Sequence, residues 1–180
     1  VPNAIADQNV NEDSALSFTV PADTFNDVDA NDTLTYTATL SDGSALPSWL
    51  SFDAATQTFS GTPLNGDVGA INVTVTATDT AGLAVNDTFS IIVANTNDAP
   101  TAIALSATAI DENAAGVVIG DLTTSDVDAG DTHTYTLSGT DAESFEVVNG
   151  QLKLKDSVTA DYETQSSYAV TVTATDSGSL

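Results

Sequence analysis

The chain is written in short runs in which apolar and polar residues take turns. From Ile71 to Asp79, Val73, Val75 and Ala77 alternate with Thr74, Thr76 and Thr78. A period of two puts alternate side chains on opposite faces of an extended strand, so one face buries and the other shows hydroxyls to water. Phe89, Ile91 and Val93 repeat the pattern, which predicts a strand over Thr88 to Ala94. Phe145 to Leu154 reads as a hairpin with Asn149-Gly150 at its tip, where a two-residue turn needs positive φ at both positions. Asp42-Gly43 and Asn65-Gly66 mark further turns. No long stretch carries helical periodicity. Short strands with turn signals between them, several per ~100 residues, predict an all-β chain built of Greek-key β-sandwiches.

The same patterns occur twice. Asp27-Val28-Asp29-Ala30-Asn31-Asp32-Thr33-Leu34-Thr35-Tyr36-Thr37 returns 99 residues later as Asp126-Val127-Asp128-Ala129-Gly130-Asp131-Thr132-His133-Thr134-Tyr135-Thr136. Val73 to Asp79 returns unchanged as Val170 to Asp176, and Glu12 is answered by Glu112. Three ordered matches at one period indicate tandem modules, here 1–97 and 98–180, with the boundary in Asn95-Thr96-Asn97-Asp98-Ala99-Pro100. The second copy stops four residues after Asp176, where the first goes on to another strand. The second module is therefore expected to lack its last strand and to leave a sheet edge open. The opening Val1-Pro2-Asn3 starts in mid-pattern without a signal peptide and reads as a fragment of something longer.

Charge changes the picture. Acidic residues number 26 against 2 basic ones, Lys153 and Lys155, for a net charge of −24. Phosphate recognition needs a basic footprint, so nucleic acid is excluded as a partner and anionic lipid is disfavoured. No run approaches the ~20 apolar residues of a membrane span. With no cysteine, disulfides and thiolate sites are absent. Hydrophobic content of 41% is enough for packed cores. The acids gather at the ends of the predicted strands, as Asp27/Asp29, Asp126/Asp128, Asp161-Tyr162-Glu163, Glu12, Glu112 and Asn95/Asn97/Asp98. Clustered carboxylates repel one another, and a hard divalent cation relieves the repulsion. Calcium takes six to eight oxygens. No short segment here supplies them, so a site would be assembled from several loops.

Other chemistries are weaker. His133, the one histidine, is matched by Leu34 in the first copy and reads as a plain strand residue. Paired carboxylates could serve as a glycosidase dyad, but their duplication favours metal ligation. Trp49 could stack on a sugar, though a large aromatic is more often core. The glycosylation patterns at Asn31, Asn72 and Asn86 are what chance gives in a chain rich in Asn and Thr. The chain reads as non-enzymatic.

Taken together, Glu12/Glu112, the Asp-x-Asp pairs, Asp161-Tyr162-Glu163, Ala174-Thr175-Asp176-Ser177-Gly178 and a linker ending Asn-Asp-Ala-Pro resemble cadherin repeats. Module two is similar to an ordinary cadherin repeat along nearly its whole length. Module one, with Leu46-Pro47-Ser48-Trp49-Leu50-Ser51-Phe52-Asp53 and Phe59-Ser60-Gly61-Thr62-Pro63 and no Asp-Tyr-Glu, resembles the dystroglycan-type cadherin-like variety. Such alternating modules are similar to those of very large bacterial surface and secreted proteins. The resemblance implies immunoglobulin-like sandwiches with Ca2+ at the junction. Its ligands would be Glu12, Asn95, the Thr96 carbonyl, Asn97, Asp98, Asp126, Asp128, Asp176 and a backbone oxygen near Asp131. Asp67 would replace the missing Asp-Tyr-Glu. The linker has Asn95 where the family has Asp and is one residue shorter, so two ions are expected rather than three. Asp27, Asp29 and Asp79, and likewise Glu112, Asp161 and Glu163, would serve outer sites that are partly or wholly empty. The implied role is a calcium-stiffened extender or adhesion module pair on a cell surface or in a secreted protein. Its implied partners are neighbouring modules, like modules in homophilic contact, or polysaccharide.

Overall fold

Val73, Val75 and Ala77 are 0%, 0% and 1% exposed, and they lie on one face of a single strand, Gly69–Thr78. The chain around them is all-β, in a computed structural model that describes residues 3–29 and 32–180. Val1, Pro2, Ala30 and Asn31 lie outside the described residues. With them go the start of Val1-Pro2-Asn3, two positions of the first Asp-Val-Asp repeat and the glycosylation pattern at Asn31. The chain forms two compact units, Val1–Thr96 and Asn97–Leu180.

The first unit contains β1 (Gln8–Asn11), β2 (Leu16–Thr19), β3 (Thr35–Leu40), β4 (Leu50–Asp53), β5 (Thr58–Gly61), a 3₁₀ turn at Asn65–Asp67, β6 (Gly69–Thr78) and β7 (Ala84–Ala94). One sheet has the order β1-β7-β6-β3 and the other β2-β5-β4. The alternation carries both. β6 pairs antiparallel with β7, Val73 opposite Phe89 and Ile71 opposite Ile91, and the even-numbered threonines fall on the outer face. Phe59, fully buried on β5, lies between Phe52 and Phe89, at ring-centre distances of 4.6 and 5.6 Å. Gly61 ends β5 where the chain passes against the carbonyl of Trp49, and a Cβ there would overlap that oxygen. β1 runs parallel to β7, Gln8 opposite Ile91 and Asn11 opposite Ala94.

The second unit contains β8 (Ala102–Leu105), β9 (Val118–Ser125), β10 (Thr134–Ser138), a 3₁₀ turn at Ala142–Ser144, β11 (Phe145–Val148), β12 (Gln151–Leu154) and β13 (Thr171–Thr175). Its sheets are β11-β12-β9-β8 and β10-β13. The hairpin turns where the sequence places it: Val148 faces Gln151 across Asn149 and Gly150, whose φ angles are 51° and 75°. Its core is smaller, with Leu122, Phe145, Leu152, Leu154 and Ala160 buried. β13 has one hydrogen-bonded neighbour among the described residues, β10, whereas β6 lies between β3 and β7.

The two units repeat each other in detail. Asp13 and Asn113 both sit at positive φ, 56° and 68°. The Asp13 N–H donates to Pro63 O at 2.8 Å, and the Asn113 N–H donates to Ala160 O at 2.8 Å.

Candidate metal centre

In the second unit three carboxylates from two strand ends converge. Asp126 follows β9, Asp131 lies in the loop before β10, and Asp176 follows β13. One oxygen from each lies within 4.8 Å of the other two. The loop holds them by local bonds. Asp126 Oδ1 accepts the Asp128 N–H at 3.0 Å, and the Asp131 N–H points to the Asp128 carbonyl at 3.4 Å. Asp176, 4% exposed, accepts the Leu180 N–H on Oδ1 at 3.0 Å and the Asn97 amide on Oδ2 at 2.9 Å. A Cβ on Gly178 would occupy the space that the Asn97 amide uses. Asp128, 6% exposed, accepts the Asp98 N–H at 2.6 Å. Asp131 Oδ2 is buried and makes no hydrogen bond.

The first unit builds the same arrangement from the matching residues, Asp27, Asp32 and Asp79, again with oxygens within 4.8 Å of one another. Asp27 Oδ1 accepts the Asp29 N–H at 2.9 Å, the Asp32 N–H points to the Asp29 carbonyl at 3.3 Å, and Asp79 Oδ1 accepts the Leu83 N–H at 2.8 Å. Each bond has its counterpart in the second unit. The copies differ in what satisfies the middle carboxylate. Asp32 Oδ1 accepts the Thr80 hydroxyl at 2.5 Å and the Thr33 N–H at 2.7 Å.

These bonds favour the charged forms. The His133 ring, with Nε2 2.9 Å from Asp126 Oδ2, is the main cause holding the Asp126 carboxyl below its usual pKa, helped by the Asp128 N–H. Burial and Asp176 oppose it. The Leu180 N–H chiefly lowers Asp176, against its burial. The Thr80 hydroxyl does the same for Asp32. Ionised carboxylates this close repel, so the donor set is one that a hard cation stabilises. An all-oxygen, carboxylate-rich set with an orphaned buried oxygen fits calcium better than zinc or copper, which favour nitrogen and sulfur.

Sequence reasoning missed two features here. It placed Asp131 in the site through a backbone oxygen and drew nothing from Asp32; both side chains join the clusters. It also took His133 for a plain strand residue. His133 lies just before β10 and its ring bonds Asp126. The match with Leu34 hid this, because Leu34 packs against the core of its own unit at a position with the same backbone.

The remaining candidates lie as follows. Glu12, 1% exposed between β1 and β2, accepts the Thr96 N–H on Oε1 at 2.6 Å, while its buried Oε2 has no hydrogen-bond partner. The Asn95 amide donates to Thr96 O at 3.2 Å. Asp67 is in neither three-aspartate cluster; its Oδ2 accepts the Leu64 N–H at 2.9 Å and caps the 3₁₀ turn. Asp161 folds its own loop, accepting from Glu163 N–H at 3.1 Å and from the Thr164 hydroxyl at 2.8 Å. Glu112 and Glu163 are exposed. Trp49 is half-buried and packs against the core of the first unit.

No curated protein matches the chain. Among solved structures it is similar to protocadherin gammaB7 EC3-6, solved as a cis-dimer, at 24% identity and a TM-score of 0.66 over 96% of the chain. It is similar to protocadherin gamma B2 cadherin domains 3-6 at 18% identity and a TM-score of 0.70 over 97%. Human protocadherin-24 EC1-2 matches at 17% identity and a TM-score of 0.62, over 95% of this chain and 91% of that one. The chain spans 43% and 42% of the two gamma B structures. At these identities the likeness is one of fold, that of cadherin- and Ig-like β-sandwich repeats. A family model described as "Putative Ig domain" matches residues 1–94, and the chain belongs to that family, He_PIG.

Proposed function

We propose that the chain is a calcium-binding pair of adhesion or extender modules from a secreted or cell-surface protein. Residues 1–97 are a dystroglycan-type cadherin-like module, and 98–180 are a cadherin repeat. The observation that carries this reading is the duplicated three-aspartate cluster. The two modules repeat the same carboxylates and turns in near-identical segments, although like charges in proximity destabilise a fold that holds no cation. Ig- and cadherin-like domains are typically structural or adhesion modules, which accords with a non-enzymatic role.

In this reading Asp126, Asp131 and Asp176, with Asn97 and Asp98 beside them, would hold calcium in the second module, and Asp27, Asp32 and Asp79 would do so in the first. Bound calcium supplies charge neutralisation. The protein supplies fixed oxygens: the loop N–H groups pin the aspartates, and the Asn97–Asp176 bond ties the start of the unit to the end of β13. The resemblance carries the further part of the proposal. Glu12 and the linker 95–98 share ions with the second module, so that calcium stiffens the pair. Extracellular modules bind calcium at about 10⁻⁴–10⁻³ M, a level that exported proteins meet.

Calcium titration by calorimetry tests the centre. Asp176→Ala is expected to remove one class of sites from the isotherm, and an unchanged isotherm would sink the assignment. Small-angle scattering tests the stiffening: the maximum dimension is expected to be larger with calcium than with chelator, and equal values would refute a shared junction site.

A further inference from the structure

The first unit has a shallow groove of about 640 Å³ between strands of its two sheets. β3 ends one sheet and β4 ends the other, so each has one edge unpaired among the described residues. Tyr36 and Ala38 of β3 line the groove with Leu46, Leu50 and Phe52, and no lining residue is charged. That is unexpected in a chain with 26 acids. Exposed sheet edges are commonly guarded by a charge, a proline or a bulge. β3 is Thr35-Tyr36-Thr37-Ala38-Thr39-Leu40 and pairs with β6 residue for residue, so it has none of the three.

The repeat shows where the groove comes from. Ala38 lies opposite Val75, and in the second unit Leu137 lies opposite the matching Val172. Leu137 packs against the core of its unit. Ala38 stops at Cβ, so the room a leucine would take beside β3 is left to the groove. Acids stand at its margin. Asp42 lies in the turn after β3, and Asp53 ends β4. Both are exposed, and both are fixed by local bonds: Asp42 Oδ1 accepts the Ser44 N–H at 2.9 Å, and Asp53 Oδ1 accepts the Ala55 N–H at 2.8 Å.

We propose that the free edge of β3 is a strand-acceptor site. Its ligand is an extended segment of another protein, about as long as the six residues of β3. The segment carries apolar side chains at alternate positions and Lys or Arg at its ends. It adds one strand to the β1-β7-β6-β3 sheet, through main-chain hydrogen bonds to β3. Its inward side chains sit on Tyr36, Ala38 and Phe52, and its cations meet Asp42 and Asp53. A second copy of this chain, at a net charge of −24, is a poorer occupant.

The test adds a synthetic peptide to the full chain in calcium. The peptide has the sequence of Val73–Thr78, which already pairs with β3 on its other side, and two lysines at each end. Hydrogen exchange at those Thr35–Leu40 amides that do not bond β6 is expected to slow at saturation by about tenfold or more. A peptide with prolines at its two central positions is expected to leave that exchange unchanged, because proline has no N–H to give the ladder. Replacing the lysines by glutamates is expected to weaken binding about threefold or more. Ala38→Leu is expected to weaken binding of the lysine peptide about tenfold or more, since the added side chain takes the groove. Leu137 shows that the fold accepts a leucine at this place. Unchanged exchange at β3 overturns the proposal. Equal protection by the proline peptide overturns strand pairing, and equal binding to Ala38→Leu overturns the groove as its seat. Equal binding of the lysine and glutamate peptides overturns the charge preference. A dimer by light scattering in which the β3 amides are already protected assigns the edge to a second copy and overturns the proposed ligand.

Discussion

Asp32 and Asp131 hold the same place in two copies of one loop, and their partners set them apart. Asp32 bonds Thr80, while Asp131 Oδ2 is buried without a partner. An orphaned carboxylate oxygen weakens a fold by itself and contributes once a cation meets it. Asp131→Asn keeps the shape and removes the charge. It is expected to raise the melting temperature slightly in chelator and to lower calcium affinity by about tenfold or more. Scanning calorimetry with and without calcium checks both signs. Asp141 gives a pH prediction away from the clusters. Its carboxyl is held below the ordinary value of 3.8, first by the Ala169 N–H and then by the Gln165 amide. A lowered pKa in the folded state gives stability that is present above 3.8 and is lost as the pH falls through the folded value. Asp141→Asn should therefore destabilise the second unit at pH 6 and much less at pH 3, as followed by urea unfolding at the two pH values.

At the scale of elements, the sequence was legible where strands are long and half-buried. Val73, Val75, Ala77, Phe89, Ile91 and Val93 read as one buried face, and they form it. Asn149-Gly150 predicted its turn, because few residue pairs accept two positive φ angles. β1 was not legible. Four residues carry too little alternation to name a partner, and its parallel pairing depends on β7, some eighty residues on. The aspartate clusters were legible as acids at strand ends but not as particular triads, because local spacing does not say which carboxylate of a loop turns inward. Gly61 shows another contact that spacing hides. Gly61→Ala would drive a Cβ into the Trp49 carbonyl and is expected to cost at least about 2 kcal/mol, since backbone must move to relieve the overlap. Denaturant unfolding of the first unit measures it; a cost below that of an ordinary surface substitution would show that β4 and β5 yield more easily than their packing suggests.

At the scale of the whole molecule, a net charge of −24 opposes compactness wherever cations are scarce. Monovalent salt screens that repulsion generally, with a Debye length of about 10 Å at 0.1 M. Calcium should act at far lower concentration through defined oxygens. The chelated chain is therefore expected to gain melting temperature gradually with sodium chloride and steeply with millimolar calcium. Equal effects at equal ionic strength would mean that the clusters only respond to screening. The pairing of β1 with β7 has a mechanical consequence. Near the two ends of the first unit the chain runs through parallel neighbours, bonded from Gln8 to Asn11 and closed by the Glu12 N–H on the Ala94 carbonyl. Tension applied to those ends slides the two strands lengthwise past each other, so their hydrogen bonds take the load together instead of opening one at a time. Under pulling, the first unit resists in shear and gives way as a whole.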